Sequence, residues 1–237
     1  MSGEGVQVSA VSPLFLFPPY PFNMSLLEVY TSLPKPNKDL LHVPYYTESL
    51  STFTGVRVFP SEGYLEGLPP DLVRSASLVG FPCFVVPIHS SGRCYGLVLK
   101  GRGKPTPRYG NTARLCGWES IAPGSTVVLV EGFKDAYILR RMGVLALPLL
   151  TSMPSARTLS LLSSLSCKVV YVPDNDSYGQ RNAETYITKA SSAGIKPLVF
   201  RLSGVSDLGD VFDPRLKRAA ISEASRLVST FGIPCSI

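Results

Sequence analysis

In the second half of the chain, short runs of β-branched apolar residues alternate with longer segments whose apolar residues recur at helical spacing. The runs predict strands at residues 126–130, 144–149, 168–172 and 197–202. The segments between and after them predict helices at residues 134–142, 156–165, 179–192 and 215–230. Because strands and helices alternate, the strands should pair in parallel through right-handed crossovers. The pattern therefore predicts an α/β fold with a parallel sheet flanked by helices.

The first half of the chain has a less regular pattern, in which one β-hairpin stands out. Two strand-like apolar runs, at residues 84–88 and 94–99, flank a short polar turn that contains glycine. We also expect a helical turn at residues 25–30 and a short helix that begins at the Pro-Pro pair 69–70. Prolines interrupt the apolar stretch at residues 13–22, which predicts a mobile arm or a strap over the core, with a partner-binding peptide as the alternative.

Acidic residues follow two of the predicted strands at the point where each strand ends. Glu131 follows the first strand and precedes a glycine, and Asp174 and Asp176 follow the third strand. Because ligand sites in open α/β sheets lie at the carboxyl ends of the strands, these carboxylates should converge at one edge. Clustered carboxylates repel one another unless a cation lies between them, and hard oxygen ligands suit Mg²⁺ or Mn²⁺. The sequence therefore predicts a magnesium or manganese site.

Each of these acids also has an ordinary explanation when it is considered alone. Glu131 has the position of an acid at a strand end or near a helix N-terminus, where the helix dipole favours negative charge. Asp174 or Asp176 has the position of an Asx-turn and N-cap residue, a role that does not exclude metal binding. Lys134, at the start of the next predicted helix, is either a phosphate contact or a solvated surface lysine. Asp135 is expected to be structural.

A basic segment follows the predicted hairpin. Residues 100–111 place four cations and one tyrosine among glycines and prolines, which keep the segment out of regular structure. Such a loop is suited to contacts with the phosphates of a nucleic acid or a nucleotide. The candidate residues for these contacts are Lys100, Arg102, Lys104, Arg108, Tyr109 and Asn111, with Lys134 as a further one.

Composition narrows the classes of partner and cofactor. The net charge of +6 and the pI of about 9.1 favour a polyanionic partner. The 5 cysteines are odd in number and form no C-x-x-C motif, so neither a zinc site nor a disulfide framework is expected. The sequence has no uninterrupted apolar stretch of about 18 residues, which excludes a membrane-spanning helix. It also lacks the cationic start of a signal peptide, which indicates a cytoplasmic protein.

Three acidic motifs in a fixed order resemble the Toprim domain, which DnaG-type primases, topoisomerases, OLD-family nucleases and recombination mediators share. The motifs are Glu-Gly at 131–132, Asp-x-Asp-x-x-Gly at 174–179 and Ser-Asp-Leu-Gly-Asp at 206–210. The resemblance covers residues from about 125 to 220 and implies a Toprim fold. It implies catalytic and metal-binding roles for Glu131, Asp174 and Asp176, and a metal-binding role for Asp207. For Asp210 it leaves metal binding and a structural role at a helix N-terminus equally open.

A second block resembles the segment that precedes the Toprim domain in DnaG-type primases. The matching pieces occur in the family's order, at 87–88, 92–93, 95–96, 101–102 and 107–111. Arg108 replaces the usual lysine of the last piece, which keeps the charge but changes the geometry of its contacts. The resemblance implies an N-terminal arm (1–30), a smaller mixed α+β, primase-like basic subdomain (31–122) and a Toprim domain with a C-terminal helix (123–237).

The two resemblances together imply a DNA primase core that joins ribonucleoside triphosphates into short RNA primers on a single-stranded DNA template. Full-length bacterial primases begin with a zinc-binding domain, and this sequence contains no counterpart of it or of a helicase-binding domain. The resemblance therefore leads us to expect a replicative helicase or a zinc-domain protein as partner. The small size of the core leads us to expect a minimal form of phage or mobile-element type that acts in the host cytoplasm.

Two other functions remain open at this stage. A Toprim nuclease would use the same acids and metal ions with water as the nucleophile, and only the primase-like block at 84–111 argues against it. A non-catalytic DNA-binding accessory protein of the primosome is the other alternative, against which the complete set of acids argues.

Overall fold

Two four-stranded sheets, one antiparallel and one parallel, make up the part of the chain that the structure describes. The structure is a computed structural model, and it describes residues 25–36, 55–90, 93–101, 107–110 and 114–233. Most of the N-terminal arm therefore lies outside the described residues, as do Arg102, Lys104, Asn111 and the side chain of Arg108.

The antiparallel sheet contains the expected hairpin. Its strands run in the spatial order β1-β2-β3-β4, with bounds Arg57–Phe59, Cys83–Ser90, Arg93–Lys100 and Arg108–Gly110. Two helices pack on one face of this sheet, α1 at Leu26–Ser32 and α2 at Pro70–Val79. Both were expected from the sequence. A proline is tolerated in the first turn of α2 because the amide there has no partner within the helix.

The parallel sheet has the spatial order β6-β5-β7-β8. Its strands are β5 at Thr126–Val130, β6 at Ala146–Pro148, β7 at Lys168–Val172 and β8 at Leu198–Val199. All four lie within the predicted ranges and pair in parallel, as expected. β8 is shorter than predicted because the chain beyond it bonds to a helix: Arg201 O accepts from Arg226, and the Ser203 amide donates to Glu223.

Helices cover both faces of the parallel sheet. They are α3 at Phe133–Arg141, α4 at Ala156–Ser164, α5 at Ser177–Ser192 and α6 at Lys217–Phe231. Val128 and Val130 pack towards α3 and α6, whereas Val127 and Leu129 pack towards α4 and α5. Strands buried on both faces need apolar residues at every position, which explains the continuous apolar runs in the sequence.

Helix α3 joins the two halves of the fold. Its residues Phe133 and Tyr137 pack with Val86, Ile88 and Val98 of the antiparallel sheet. Since Phe133 comes two residues after Glu131, the antiparallel sheet lies beside the acidic edge of the parallel sheet. None of the helices in the described ranges has the length and apolar character needed to cross a membrane.

Candidate active site

Glu131 and Asp174 meet at the carboxyl edge of the parallel sheet. β5 and β7 are neighbours in register; Glu131 follows β5 directly, and Asp174 comes one residue later after β7, beyond Pro173. Glu131 Oε1 accepts hydrogen bonds from the backbone amide of Asp174 at 3.3 Å and from the hydroxyl of Tyr171 at 3.2 Å. The structure thus brings together two of the acids that the sequence placed at one edge.

Asp174 is the acid most affected by its neighbours. Its partial burial, and then the negative charges of Glu131, Asp135, Asp207 and Asp176, raise its pKa to about 8. Such a shift marks a carboxyl group that is withdrawn from water and surrounded by like charge. A divalent cation at this position would reverse the shift, because it favours the ionised carboxylate.

Asp176 caps helix α5. Its Oδ1 accepts a hydrogen bond from the Gly179 amide at 2.7 Å, so α5 begins at Ser177, two residues earlier than predicted. Gly179 is required here because a Cβ at this position would lie 1.9 Å from the carbonyl oxygen of Asp174. The N-cap explanation thus holds for Asp176, and it leaves the second carboxylate oxygen of that residue for other contacts.

Asp207 and Asp210 lie in the segment that follows β8, beside the Asp174–Asp176 loop. Asp207 is the N-cap of a short 3-10 helix at Leu208–Phe212, and Asp210 lies in that helix. The Asn175 amide donates to Ser206 O at 2.7 Å, which ties the two loops together. Burial and the charge of Asp210 raise the pKa of Asp207, while nearby Lys134 opposes the shift. Asp210 Oδ2 accepts from the Ser206 amide at 2.8 Å and so closes its own turn.

Asp135 has a larger part in the site than sequence reasoning gave it. It is buried, with 6% of its surface exposed, and its carboxylate accepts from the amides of Gly132 at 3.1 Å and Gly209 at 2.8 Å. Burial and the charge of Asp207 raise its pKa to about 7. Its place at the third position of α3 predicts the first of these bonds. Nothing in the sequence indicates the second.

Tyr171 is the other residue that sequence reasoning missed. In the sequence it is part of the apolar run of β7, and in the structure its side chain is fully buried. Its hydroxyl nevertheless lies 3.2 Å from Glu131 Oε1 and 2.7 Å from Ser152 O. Burial, followed by the nearby charge of Glu131, raises its pKa above the ordinary range, so the hydroxyl keeps its proton and acts as a donor.

The predicted nucleic-acid contacts are only partly described. Lys134 lies in the first turn of α3, with its Nζ 5.7 Å from the centroid of the Phe212 ring. Lys100 ends β3, and Tyr109 lies partly buried against the core between the antiparallel sheet and its two helices. The contacts of these residues with phosphates stay predictions, as do those of the undescribed Arg102, Lys104, Asn111 and Arg108 side chains.

The acids fit a loosely held divalent ion better than a closed metal cage. Within the described ranges, no three His, Cys, Asp or Glu side chains are arranged to hold a metal ion by themselves. Mg²⁺ commonly binds proteins through one or two carboxylates and keeps waters and substrate phosphates as its other ligands. Glu131 and Asp174, with the negative charge that surrounds them, match that mode of binding.

No protein-family model and no curated protein sequence matches this chain. Several solved primase structures share its fold. The zinc-binding and RNA polymerase domains of Aquifex aeolicus primase are 16% identical, with a TM-score of 0.55 over 78% of this chain and 56% of that one. A DnaG catalytic domain bound to single-stranded DNA is 19% identical, with a TM-score of 0.53 over 76% and 68%. The primase fragment of the bacteriophage T7 primase-helicase is 12% identical, with a TM-score of 0.52 over 75% and 69%.

At 12–19% identity these likenesses show the fold, and this chain spans just over half the length of the Aquifex chain. What they share with this chain is the mixed α/β fold. In this chain a parallel sheet flanked by helices stands beside an antiparallel sheet, and the acids cluster on the side of the parallel sheet where its strands end. The chain therefore has the fold of a DnaG-type primase catalytic core.

Proposed function

We propose that the protein is a DNA primase, which joins ribonucleoside triphosphates into short RNA primers on a single-stranded DNA template. The meeting of Glu131, Asp174 and Asp207 at one edge of a primase-like fold is the observation that carries this proposal. A structural neighbour bound to single-stranded DNA supports the choice of template. The primase-helicase among the neighbours supports a replicative helicase as partner, and a zinc-domain protein is the second proposed partner.

Mg²⁺ or Mn²⁺ is the proposed cofactor, and its proposed ligands are Glu131, Asp174, Asp176 and Asp207. Asp210 is a further candidate ligand, although one of its oxygens already accepts from the Ser206 amide. Bound divalent ions in nucleotidyl transfer lower the pKa of the attacking 3′-hydroxyl and stabilise the charge on the triphosphate leaving group. The chain supplies the carboxylates and the negative field that would hold such ions.

Two residues outside the ligand set hold these carboxylates in position. The Tyr171 hydroxyl donates towards Glu131 Oε1, which restricts the rotation of that side chain. Asp135 links the amides of Gly132 and Gly209, which fixes the loop that carries Glu131 relative to the loop that carries Asp207. Fixed positions matter because orientation of the reacting groups supplies much of the reduction in the barrier.

A primer-synthesis assay tests the proposal. Purified protein is incubated with single-stranded DNA, labelled ribonucleoside triphosphates and Mg²⁺ or Mn²⁺, with and without the helicase of the same replication system. We expect short oligoribonucleotides that depend on template and metal. Glu131→Gln and Asp174→Asn should abolish them, whereas Asp213→Asn, which changes an acid paired with the exposed Arg215, should not.

The same assay separates the rival functions. A metal-dependent shortening of labelled DNA or RNA, without primer synthesis under any of these conditions, would replace the proposal with a nuclease. Tight binding of single-stranded DNA without either reaction would replace it with an accessory DNA-binding protein.

A further inference from the structure

Tyr178 is an aromatic residue left in solvent at the acidic edge. It lies in the first turn of α5, two residues beyond the capping Asp176, and 69% of its surface is exposed. Burial of an aromatic side chain stabilises a fold, and Tyr178 forgoes most of that contribution. Single exposed apolar residues are common on protein surfaces, so exposure alone indicates nothing.

The partner of the Tyr178 ring makes this case different. The guanidinium carbon of Arg181 lies 4.6 Å from the centroid of the ring, one helical turn further along α5. In the part of the chain that the structure describes, Arg181 forms no salt bridge, so its charge is not used to pair an acid. The pair thus offers an aromatic ring and a guanidinium side by side, both open to solvent.

Phe212, the second exposed aromatic residue near the acids, differs from Tyr178 in that its ring packs against another element of the fold. Phe212 is 37% exposed, and its ring packs at 6.0 Å from the ring of Tyr137 and under the ammonium group of Lys134. Those contacts tie the Phe212 loop to α3 and explain the ring as part of the fold. Within the described ranges, the ring of Tyr178 has no such aromatic or cationic contact apart from the one with Arg181.

We propose that Tyr178 and Arg181 form a stacking site for a nucleobase, with the base on the tyrosine ring and the guanidinium towards the adjoining phosphate. Aromatic rings accept any base by stacking, and arginine combines stacking on a ring with phosphate contacts. The base belongs either to a ribonucleoside triphosphate or to the single-stranded template. The inference rests on the proposed function for its place beside the reaction centre, but its binding test does not need catalysis.

Binding to variants of the full chain tests the site. Affinities for ATP, for a single-stranded DNA oligonucleotide and for inorganic tripolyphosphate are measured in Mg²⁺ with wild type, Tyr178→Leu and Tyr178→Phe. Tyr178→Leu should weaken binding of one base-carrying ligand by about 5- to 150-fold, the range for loss of one stacked base. Tyr178→Phe should bind like wild type, and tripolyphosphate should bind all three proteins equally. The ligand whose affinity falls in Tyr178→Leu, ATP or DNA, identifies the source of the base.

Controls on the same helix separate stacking from damage to the fold. Ile187→Ala removes another exposed apolar side chain of α5, and Lys189→Gln is the match for Arg181→Gln. Arg181→Gln should lower the affinity for the ligand that Tyr178→Leu affects, and it should do so more than Lys189→Gln does. In Tyr178→Trp, the indole fluorescence should be quenched by that ligand and not by tripolyphosphate. The one native tryptophan, Trp118, is buried and gives a constant background.

The outcomes also distinguish this inference from the proposed function. Wild-type affinities for both base-carrying ligands in Tyr178→Leu, or equal losses in Tyr178→Leu and Ile187→Ala, would overturn the stacking site even if the protein makes primers. Failure of the wild type to make primers, together with a loss of base binding in Tyr178→Leu, would overturn the primase proposal and leave the stacking site standing.

Discussion

Asp135 accepts a hydrogen bond from the backbone amide of Gly209 at 2.8 Å, although 74 residues separate the two in the sequence. The other oxygen of the same carboxylate accepts from the amide of Gly132. One buried side chain therefore holds the loop after β5 against the loop after β8. The proposed metal ligands Glu131 and Asp207 lie on these two loops, so their separation depends on Asp135.

We expect Asp135→Asn to reduce primer synthesis by about tenfold or more, as is usual when a residue that positions metal ligands is changed, while the affinity for single-stranded DNA stays the same. An amide side chain has one acceptor oxygen in place of two, so one of the two loop amides loses its partner. The Mg²⁺ concentration needed for half-maximal activity should rise. Asp213→Asn, the same change at a partly exposed acid that pairs with Arg215, is the control. Equal activity in wild type and Asp135→Asn would show that the loops hold their positions without this link.

Gly179→Ala should disrupt the loop that carries Asp174 and Asp176. A Cβ at residue 179 would come within 1.9 Å of the Asp174 carbonyl oxygen, and a backbone atom cannot move aside as a flexible side chain can. We expect a loss of about 1–3 kcal/mol in the free energy of unfolding, measured by urea denaturation, and a loss of activity. Gly63→Ala is the matched control, because its Cβ would meet nothing nearer than 4.0 Å. Similar stability of the two variants would contradict the close approach.

The order of strands and helices could be read from the sequence because each element has a local cause. Continuous apolar runs follow from burial of β5 and β7 on both faces, and the acids at their ends converge because parallel neighbours end at one edge. The capping of α5 by Asp176 is a local interaction that the Asp-x-Asp-x-x-Gly motif already suggests.

The finer geometry of the site could not be read from the sequence because it depends on pairs far apart in the chain. The Tyr171 hydroxyl meets a carboxylate 40 residues away, and Asp135 meets an amide 74 residues away. Neither residue type stands out in its own segment, where a tyrosine fits a buried strand and an aspartate fits the first turn of a helix. The position of Tyr109 was also not predictable: the sequence made it a candidate phosphate contact, and only the fold shows that its ring lies partly against the core.

Asp174→Asn should stabilise the protein in the absence of divalent metal ions while it abolishes primer synthesis. Burial and four neighbouring acids disfavour the charged carboxylate of Asp174, and an amide of the same shape removes that cost. At pH 8 with a chelator, we expect a higher Tm, by about 2–4 °C for each 1 kcal/mol gained in a chain of this size. Addition of Mg²⁺ should raise the Tm of wild type more than that of the variant. A lower Tm for Asp174→Asn in chelator would argue against a repulsive cluster.

Glu223 links α6 to the chain after β8, and its charge should make part of the stability depend on pH. Its carboxylate accepts from the Ser203 amide at 2.8 Å and from Arg226 Nη2 at 2.6 Å. The bond from Arg226 lowers the pKa of Glu223 from its usual value near 4.5. A group whose pKa is lower in the folded state stabilises the fold above its unfolded pKa, and that stability is lost as the pH falls through the folded pKa.

The wild type should therefore lose stability between about pH 5 and pH 3 more steeply than Glu223→Gln. At pH 7 the variant should be less stable by about 1.5–3 kcal/mol, because an amide cannot accept all the bonds of the carboxylate. At pH 3 the difference should shrink, since protonation removes the same charge from the wild type. Glu184→Gln, at an exposed position of α5, should follow the wild-type curve. Urea denaturation at each pH measures both differences, and a gap between wild type and Glu223→Gln that stays constant from pH 7 to pH 3 would rule out an electrostatic role for this link.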